Sequence, residues 1–214
     1  MREKDCWYID VCTKDSCDSC IRYLEMSFLM ENSGIPKKKQ MPTILNAGVD
    51  KRAFERLAEI KSDMIDFVEH GDSLYICSEE TGNGKTSWSI KLLLKYFDEI
   101  WAGNGLRIRG YFLHVPTFLN QLKDFNNDNL PKLKNILTTA DLIVWDDIAS
   151  AKLSDYDISQ LLLFIDQRNL NELSNIYTGN LTTLESLINC AGNRLASRIW
   201  QSSEIIQFRG KDRR

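Results

Sequence analysis

The run Ser78-Glu79-Glu80-Thr81-Gly82-Asn83-Gly84-Lys85-Thr86-Ser87 follows the apolar segment Leu74-Tyr75-Ile76-Cys77, and a Gly-x-Gly-Lys-Thr loop placed between a strand and a helix cradles phosphate. The backbone amides around Gly82, Asn83 and Gly84 would wrap the phosphates, with Thr81 and Ser87 flanking them. Lys85 would reach the outer two phosphates, and the Thr86 hydroxyl would ligate Mg²⁺ at a helix N-terminus. The chemistry implied is that of a nucleoside triphosphatase. One position departs from the usual pattern: the glycine expected five residues before Gly84 is Glu79. A plain glycine-rich turn is the competing reading, and the strand before the loop and the helical pattern after it weigh against that.

Asp141-Leu142-Ile143-Val144-Trp145-Asp146-Asp147 supplies the second half of such a site. An apolar run ending in paired carboxylates reads as a buried parallel strand with acids at its carboxyl end, where this class of fold handles its ligands. Asp146 would hold the Mg²⁺ shell, and Asp147 sits where a base could polarise the attacking water. Aspartate is one methylene shorter than the glutamate more often found there, so either the water lies closer or hydrolysis is slow. Two acids at a strand end could otherwise cap the next helix.

Further along, Tyr177-Thr178-Gly179-Asn180 ends another strand-like run. The Asn180 amide could bridge the water and the outermost phosphate if this strand lies beside the one leading into the phosphate loop; otherwise it is a turn residue. Arg194 and Arg198 stand at i and i+4 on one helical face, ordinarily solvent-exposed charge. In an oligomer, an arginine reaching into a neighbour's phosphate site stabilises the charge that develops during transfer. Cys6, Cys12, Cys17 and Cys20 crowd the N-terminus, and the Cys17-x-x-Cys20 pair has the turn spacing of a structural Zn²⁺ site of four thiolates. Disulfides or reduced thiols are the other readings, and no open coordination position for catalysis is implied.

These groups must be positioned by strands and helices in alternation. Strands are expected near 73–77, 108–114, 141–146, 174–178 and 204–208. Helices are expected near 85–98, 116–125, 130–139, 154–168, 182–189 and 193–200, giving a mainly parallel five-stranded α/β sheet covered on both faces. Before this core, an amphipathic helix near 50–69 would bury Phe54, Leu57, Ala58, Ile60, Ile65 and Val68. A helix over 21–30 would offer Ile21, Tyr23, Leu24, Phe28 and Leu29 to a partner. Lys37-Lys38-Lys39 and Pro42 mark a linker, read as a solvated charge run or as a contact for a phosphate backbone. The organisation expected is 1–40 as a small zinc-binding helical module, 41–70 as linker and helix, and 71–214 as the core. With 214 residues, 43% of them hydrophobic, one substantial core is possible, and a net charge of −3 argues against indiscriminate coating of nucleic acid. No secretory segment, membrane-length apolar run or internal repeat is visible, so the chain is expected to be soluble and cytoplasmic.

The order of phosphate loop, Leu142-Ile143-Val144-Trp145-Asp146-Asp147, Thr178-Gly179-Asn180 and Arg194-x-x-x-Arg198 resembles the AAA+ ATPases and, within them, the DnaC/DnaI-type helicase loaders. The resemblance spans essentially the whole chain and includes Gly34-Ile35-Pro36 and the run from Tyr177 to Leu187; no C-terminal helical lid follows Gln207-Phe208-Arg209-Gly210. The cysteine-bearing N-terminus looks like the DnaI side of the family and like loaders of phages and other mobile elements. What the resemblance implies is an ATPase that loads a hexameric replicative helicase onto single-stranded DNA, assembling as a homo-oligomer on the helicase, in a bacterial or phage-infected cell. By the same resemblance Lys85 and Thr86 bind ATP and Mg²⁺, Asp146 and Asp147 form the acidic pair, and Asn180 is the first sensor. Arg194 and Arg198 belong to the box that carries the arginine finger, with Arg198 favoured. The segment 112–137 matches the insert that lines a DNA groove in such loaders, where Phe118, Lys123, Phe125 and Lys132 could stack on bases or contact phosphates; Phe118 and Leu122 are equally spaced for a core. The alternatives are an IstB-type transposition helper, a small-molecule kinase, and a nucleotide-gated adaptor that does not hydrolyse.

Overall fold

The computed structural model of the chain describes residues 6, 8, 10, 12–13, 15–17, 20–40, 44–100, 106–124 and 128–211. Pro42 and Phe125 lie outside the described residues. The core is a five-stranded parallel sheet with the order β2-β3-β4-β1-β5, formed by β1 (Ser73–Cys77), β2 (Gly110–His114), β3 (Leu142–Asp146), β4 (Ser174–Gly179) and β5 (Ser203–Gln207). The three inner strands are buried along their whole length, as in a sheet covered on both faces; β1 and β3 are largely apolar, and the buried polar Ser174, Asn175 and Thr178 of β4 all have hydrogen-bond partners.

Alternation along each strand sends side chains to two separate cores. Leu74, Ile76, Leu142, Val144 and Ile176 meet the helices α1 (Ile21–Glu31), α2 (Lys51–Ser62), α3 (Met64–Glu69) and α4 (Lys85–Glu99). Tyr75, Cys77, Ile143, Trp145 and Tyr177 meet α5 (Val115–Gln121), α6 (Leu130–Thr139), α7 (Asp155–Leu170) and α8 (Leu184–Ser202). Reciprocal caps start the two long helices on the second face, Ser154 with Asp157 on α7 and Thr183 with Ser186 on α8. The break expected between 189 and 193 is a kink inside α8 at Gly192, whose φ of 74° only glycine adopts readily.

Two local expectations change. The helix expected over 50–69 is interrupted at Asp63 (φ −119°, ψ 38°), which resets the helical phase. Met64, Phe67 and Val68 therefore carry the buried face of α3, Ile65 is half-buried, and Ala58 is exposed between Leu57 and Ile60. Leu29, expected on a partner-facing surface, is buried with Met26, Met30 and Ile35 against the first core, whereas Ile21 and Leu24 of α1 are exposed.

α1 is tied to the core at both ends. Arg22 Nη1 donates to the Ile100 carbonyl at 2.9 Å, and its Nη2 bonds the Asp98 carbonyl. Beyond its other end, the Phe112 N–H donates to the Ser33 carbonyl at 2.7 Å. Gly34 follows at φ 69°, where a Cβ would meet the Phe112 carbonyl and the Tyr111 ring. The lysine run 37–39 is a 3₁₀ turn, after which the Gln40 amide donates to the carbonyls of Met30 (3.3 Å) and Ile35 (3.1 Å). Among the described residues no helix is long and apolar enough to cross a membrane.

Candidate functional site

Parallel strands present their carboxyl ends on one edge of the sheet, and a change in strand order opens a crevice there. In this chain β1 lies between β4 and β5, and the phosphate loop leaves β1 at that edge. Gly82 (φ 69°) and Gly84 (φ 102°) both use left-handed backbone, which lets the loop curl and hand over directly to α4 at Lys85.

The loop is held from below. Asn83 is 1% exposed, and its amide donates to Ser78 Oγ and to the Gly210 carbonyl at 3.3 Å. Lys85 Nζ bonds the Glu80 carbonyl at 2.7 Å, with the Ser78 carbonyl at 3.4 Å and Asn83 Oδ1 at 3.5 Å. Burial pulls the Lys85 pKa down, opposed by the charges of Asp147, Cys77 and Asp146. An ammonium surrounded by loop oxygens is a cation waiting for stronger acceptors, which phosphate oxygens are.

Opposite the loop, Asp146 Oδ1 accepts from Thr86 Oγ1 at 2.8 Å and from Thr178 Oγ1 at 2.8 Å. Asp147 follows at φ 61°, its N–H donating to Thr178 Oγ1 at 3.0 Å. The Thr86 hydroxyl and the Asp146 carboxylate form an all-oxygen, hard donor pair at the mouth of the phosphate loop, which suits Mg²⁺. β4 pairs with β1 in parallel, so Asn180 stands beside the loop as the sequence reading required.

All of these border one cavity of about 700 Å³, lined by Thr81 through Ser87, Asp146, Asp147, Thr178 and Asn180, with Lys39, Ile44, Leu45, Asn46 and His114 completing the walls. The structure thus gathers the residues expected to contact nucleotide and Mg²⁺. Glu79, in place of the usual glycine, lies outside the lining, and its Oε1 accepts from Thr182 Oγ1 at 3.0 Å.

Other expected residues lie elsewhere. Arg194 and Arg198 stand on α8 away from the cavity of their own chain, where Asp166 on α7 takes Arg198 Nε at 2.6 Å and has Arg194 at 3.9 Å. Their side chains keep 79% and 56% exposure. The DNA-stacking reading of Phe118 is overturned: it is fully buried, edge-on to Phe164 with ring centroids 5.8 Å apart. Its spacing served the second core. Lys123 pairs with Asp157 at 3.3 Å, and Lys132 lines a separate shallow groove beside Tyr111.

The cysteines have the right donor chemistry for zinc, but among the described residues no three Cys, His, Asp or Glu side chains gather as a metal-holding group. None of the six cysteines is in a disulfide.

The sequence reading gave Thr178 no role of its own and passed over His114. His114 ends β2 in register with Asp146, its Nδ1 2.8 Å from Thr117 Oγ1. Both are strand-end residues, findable by the rule that found Asp146. Lys39, read as part of a linker, and Ile44, Leu45 and Asn46, which carried no signal, are brought to the cavity by tertiary packing, with Leu45 3.8 Å from where a Cβ on Gly84 would lie.

The chain matches no protein-family model and no curated protein. Among solved structures it is similar to that of the DnaC helicase loader, with 22% identity, 81% of this chain and 100% of the other covered, and a TM-score of 0.66. It is also similar to the crystal structure of DnaI, with 14% identity, 82% and 95% coverage and a TM-score of 0.65. Its fold is that of the DnaC- and DnaI-type helicase loaders. The replication initiator DnaA, in a structure bound to AMPPCP and single-stranded DNA, is similar in fold at 13% identity and a TM-score of 0.60, over 83% of this chain and 51% of DnaA. At these identities the likeness is one of fold, and the arrangement of residues on that fold must carry the functional argument.

Proposed function

We propose that the chain is an ATPase that loads a hexameric replicative DNA helicase onto single-stranded DNA. The observation that carries this is the convergence of Lys85, Thr86, Asp146, Asp147 and Asn180 on one cavity at the strand ends of a loader fold. ATP would enter with its phosphates in the loop and its base toward Ile44, Leu45 and Asn46. Lys85 and the loop amides would bind the outer phosphates, and Thr86 and Asp146 would hold Mg²⁺, which would supply positive charge against the charge developing on the phosphates. Asp147 accepts a proton from water as that water attacks the γ-phosphorus and the bond to ADP breaks, and Asn180 orients the water against the phosphate. Turnover would be slow at an aspartate in this place.

Arg198, exposed and outside its own cavity, is suited to complete a neighbour's site in a homo-oligomer assembled on the helicase. For residues 1–40 the proposal of helicase docking, with a structural zinc drawn to Cys6, Cys12, Cys17 and Cys20, is carried by sequence spacing alone; metal analysis finding one zinc per chain would support it. Such a protein works in the cytoplasm of a bacterial or phage-infected cell. Two measurements test the main reading: steady-state ATPase rates with and without single-stranded DNA, and co-elution with the replicative helicase of the native host. A chain that binds ATP but ignores both DNA and helicase would sink the loader reading. Capture of a transposase instead would identify an IstB-type helper.

A further inference from the structure

Thr178 is 1% exposed and touches both members of the acidic pair. Its Oγ1 donates to Asp146 Oδ1 at 2.8 Å and accepts from the Asp147 N–H at 3.0 Å, while its carbonyl accepts from the Ile148 N–H at 2.8 Å. Any buried acceptor would satisfy a hydroxyl on a central strand. This one bonds the carboxylate oxygen that also receives the Thr86 hydroxyl, the residue at the mouth of the phosphate loop.

The turn it braces is unfavourable on its own. Asp147 (φ 61°) and Ala149 (φ 56°) both hold left-handed backbone, where a Cβ crowds the following carbonyl. Such a turn persists only where its surroundings over-determine it. Thr178 supplies two of its bonds, one through the side chain to Asp147 and one through the main chain to Ile148. A single hydroxyl therefore sets where the Asp146 oxygen points and fixes the backbone that delivers Asp147.

We propose that Thr178 is a positioning residue for ATP hydrolysis, orienting the Asp146 carboxylate toward Mg²⁺ and holding Asp147 at the attacking water. The inference rests on the ATPase reading above. It assigns to β4 a role distinct from that of Asn180: Asn180 faces the reacting groups, whereas Thr178 acts through the two acids.

Thr178→Val keeps the β-branched shape that suits a buried strand and leaves the main-chain bond to Ile148 in place, but it removes the hydroxyl. Thr178→Ser keeps the hydroxyl. Each would be compared with the wild type by melting temperature, by binding of a fluorescent ATP analogue in EDTA and across a Mg²⁺ titration, and by steady-state turnover. Losing a partner that orients a metal ligand typically costs about 10- to 100-fold. The expectation for Thr178→Val is therefore a kcat lower, and a Mg²⁺ midpoint higher, by roughly that factor, with KM and metal-free affinity within about threefold of wild type. Thr178→Ser should restore both parameters to near wild type. A merely structural threonine would lower melting temperature and metal-free affinity together and leave the Mg²⁺ midpoint unmoved; that result, or a serine variant as impaired as the valine one, overturns the proposal. If Thr178→Val does not fold, Thr178→Ala is read by the same criteria. Should the wild type show no hydrolysis even with single-stranded DNA, the ATPase reading fails, and the Mg²⁺ midpoint of nucleotide binding still decides Thr178.

Discussion

Asp50 lies well before the phosphate loop in sequence, yet removing its carboxylate should loosen that loop. It is 5% exposed, and its oxygens accept from the Arg209 N–H at 2.6 Å and the Gly210 N–H at 3.0 and 3.2 Å. The Gly210 carbonyl in turn accepts from Asn83, which sits between Ser78 and Lys85. Hydrogen bonds to a charged group are each worth about 1.5–3 kcal/mol. Two amides on one carboxylate therefore contribute about 3–6 kcal/mol gross, and the cost of burying the charge cancels part of it, leaving about 2–4 kcal/mol. For a chain of this size each kcal/mol shifts the melting temperature by about 2–4 °C, so Asp50→Ala should melt roughly 5–15 °C lower. Asp50→Asn, which keeps one acceptor oxygen, should fall between. With residues 209–210 released, Asn83 loses one neutral hydrogen bond of about 1 kcal/mol, and affinity for a fluorescent ATP analogue should drop about fivefold. Thermal melts by circular dichroism and equilibrium binding check the two halves. A shift under about 2 °C would refute the energetics; a large shift with unchanged affinity would refute the connection from Asp50 to the loop.

Three further outcomes are expected. Lys85→Ala removes the charge facing two phosphates, a loss of about 3 kcal/mol or more, so analogue binding should weaken by at least about 100-fold; unchanged affinity would remove the phosphate-loop assignment. Arg198→Ala should keep ATP binding and stability, because an exposed pair with Asp166 contributes at most about 1 kcal/mol, but lose turnover; mixing it with Asp146→Ala protein should restore some activity at shared interfaces. Arg168→Leu should cost about 3–5 kcal/mol in a denaturant melt, since this fully buried guanidinium serves the carbonyls of Leu137, Ala140, Asp141 and Ser174 and the Asn175 side chain.

The sheet was legible because β1 and β3 are short, largely apolar runs set between helical patterns, and part of the site was legible because its residues sit at strand ends. Asp146 and Asn180 were found by that rule and Lys85 by the Gly-x-Gly-Lys-Thr spacing, and Thr178 and His114 obey the strand-end rule too. Features set by tertiary contact were not legible. Phe118 has the composition of a stacking platform and the spacing of a core residue, and burial decided for the core. Nothing in the sequence singles out Arg168 on α7, yet it closes the opposite edge of the sheet, where β3 and β4 begin. Asp50 reads as the start of a helix, and its partners lie 159 and 160 residues away. Among the described residues no three Cys, His, Asp or Glu side chains gather as a metal-holding group, so the zinc reading of Cys6, Cys12, Cys17 and Cys20 rests on their spacing.

The packing of α1 changes what helicase docking by residues 1–40 would require. Met26, Leu29, Met30 and Ile35 belong to the same core as α4, and Lys39 lines the nucleotide cavity. Deleting residues 1–40 would strip apolar surface from the helix that begins with Lys85 and Thr86, so lost helicase binding in such a deletion would report damage to the ATPase as readily as loss of a docking face. Exposed Ile21 and Leu24 offer a cleaner test, since replacing them with aspartate alters the surface and leaves the buried side of α1 intact. The same packing gives a docked partner a mechanical route to the nucleotide. Arg22 grips Asp98 and Ile100 at the far end of α4, Tyr8 also bonds Asp98, and the near end of α4 is the phosphate loop. A helicase docked at α1 would therefore touch the helix whose first residues are Lys85 and Thr86, and a change in ATP affinity on helicase binding would be the measure of coupling between the two.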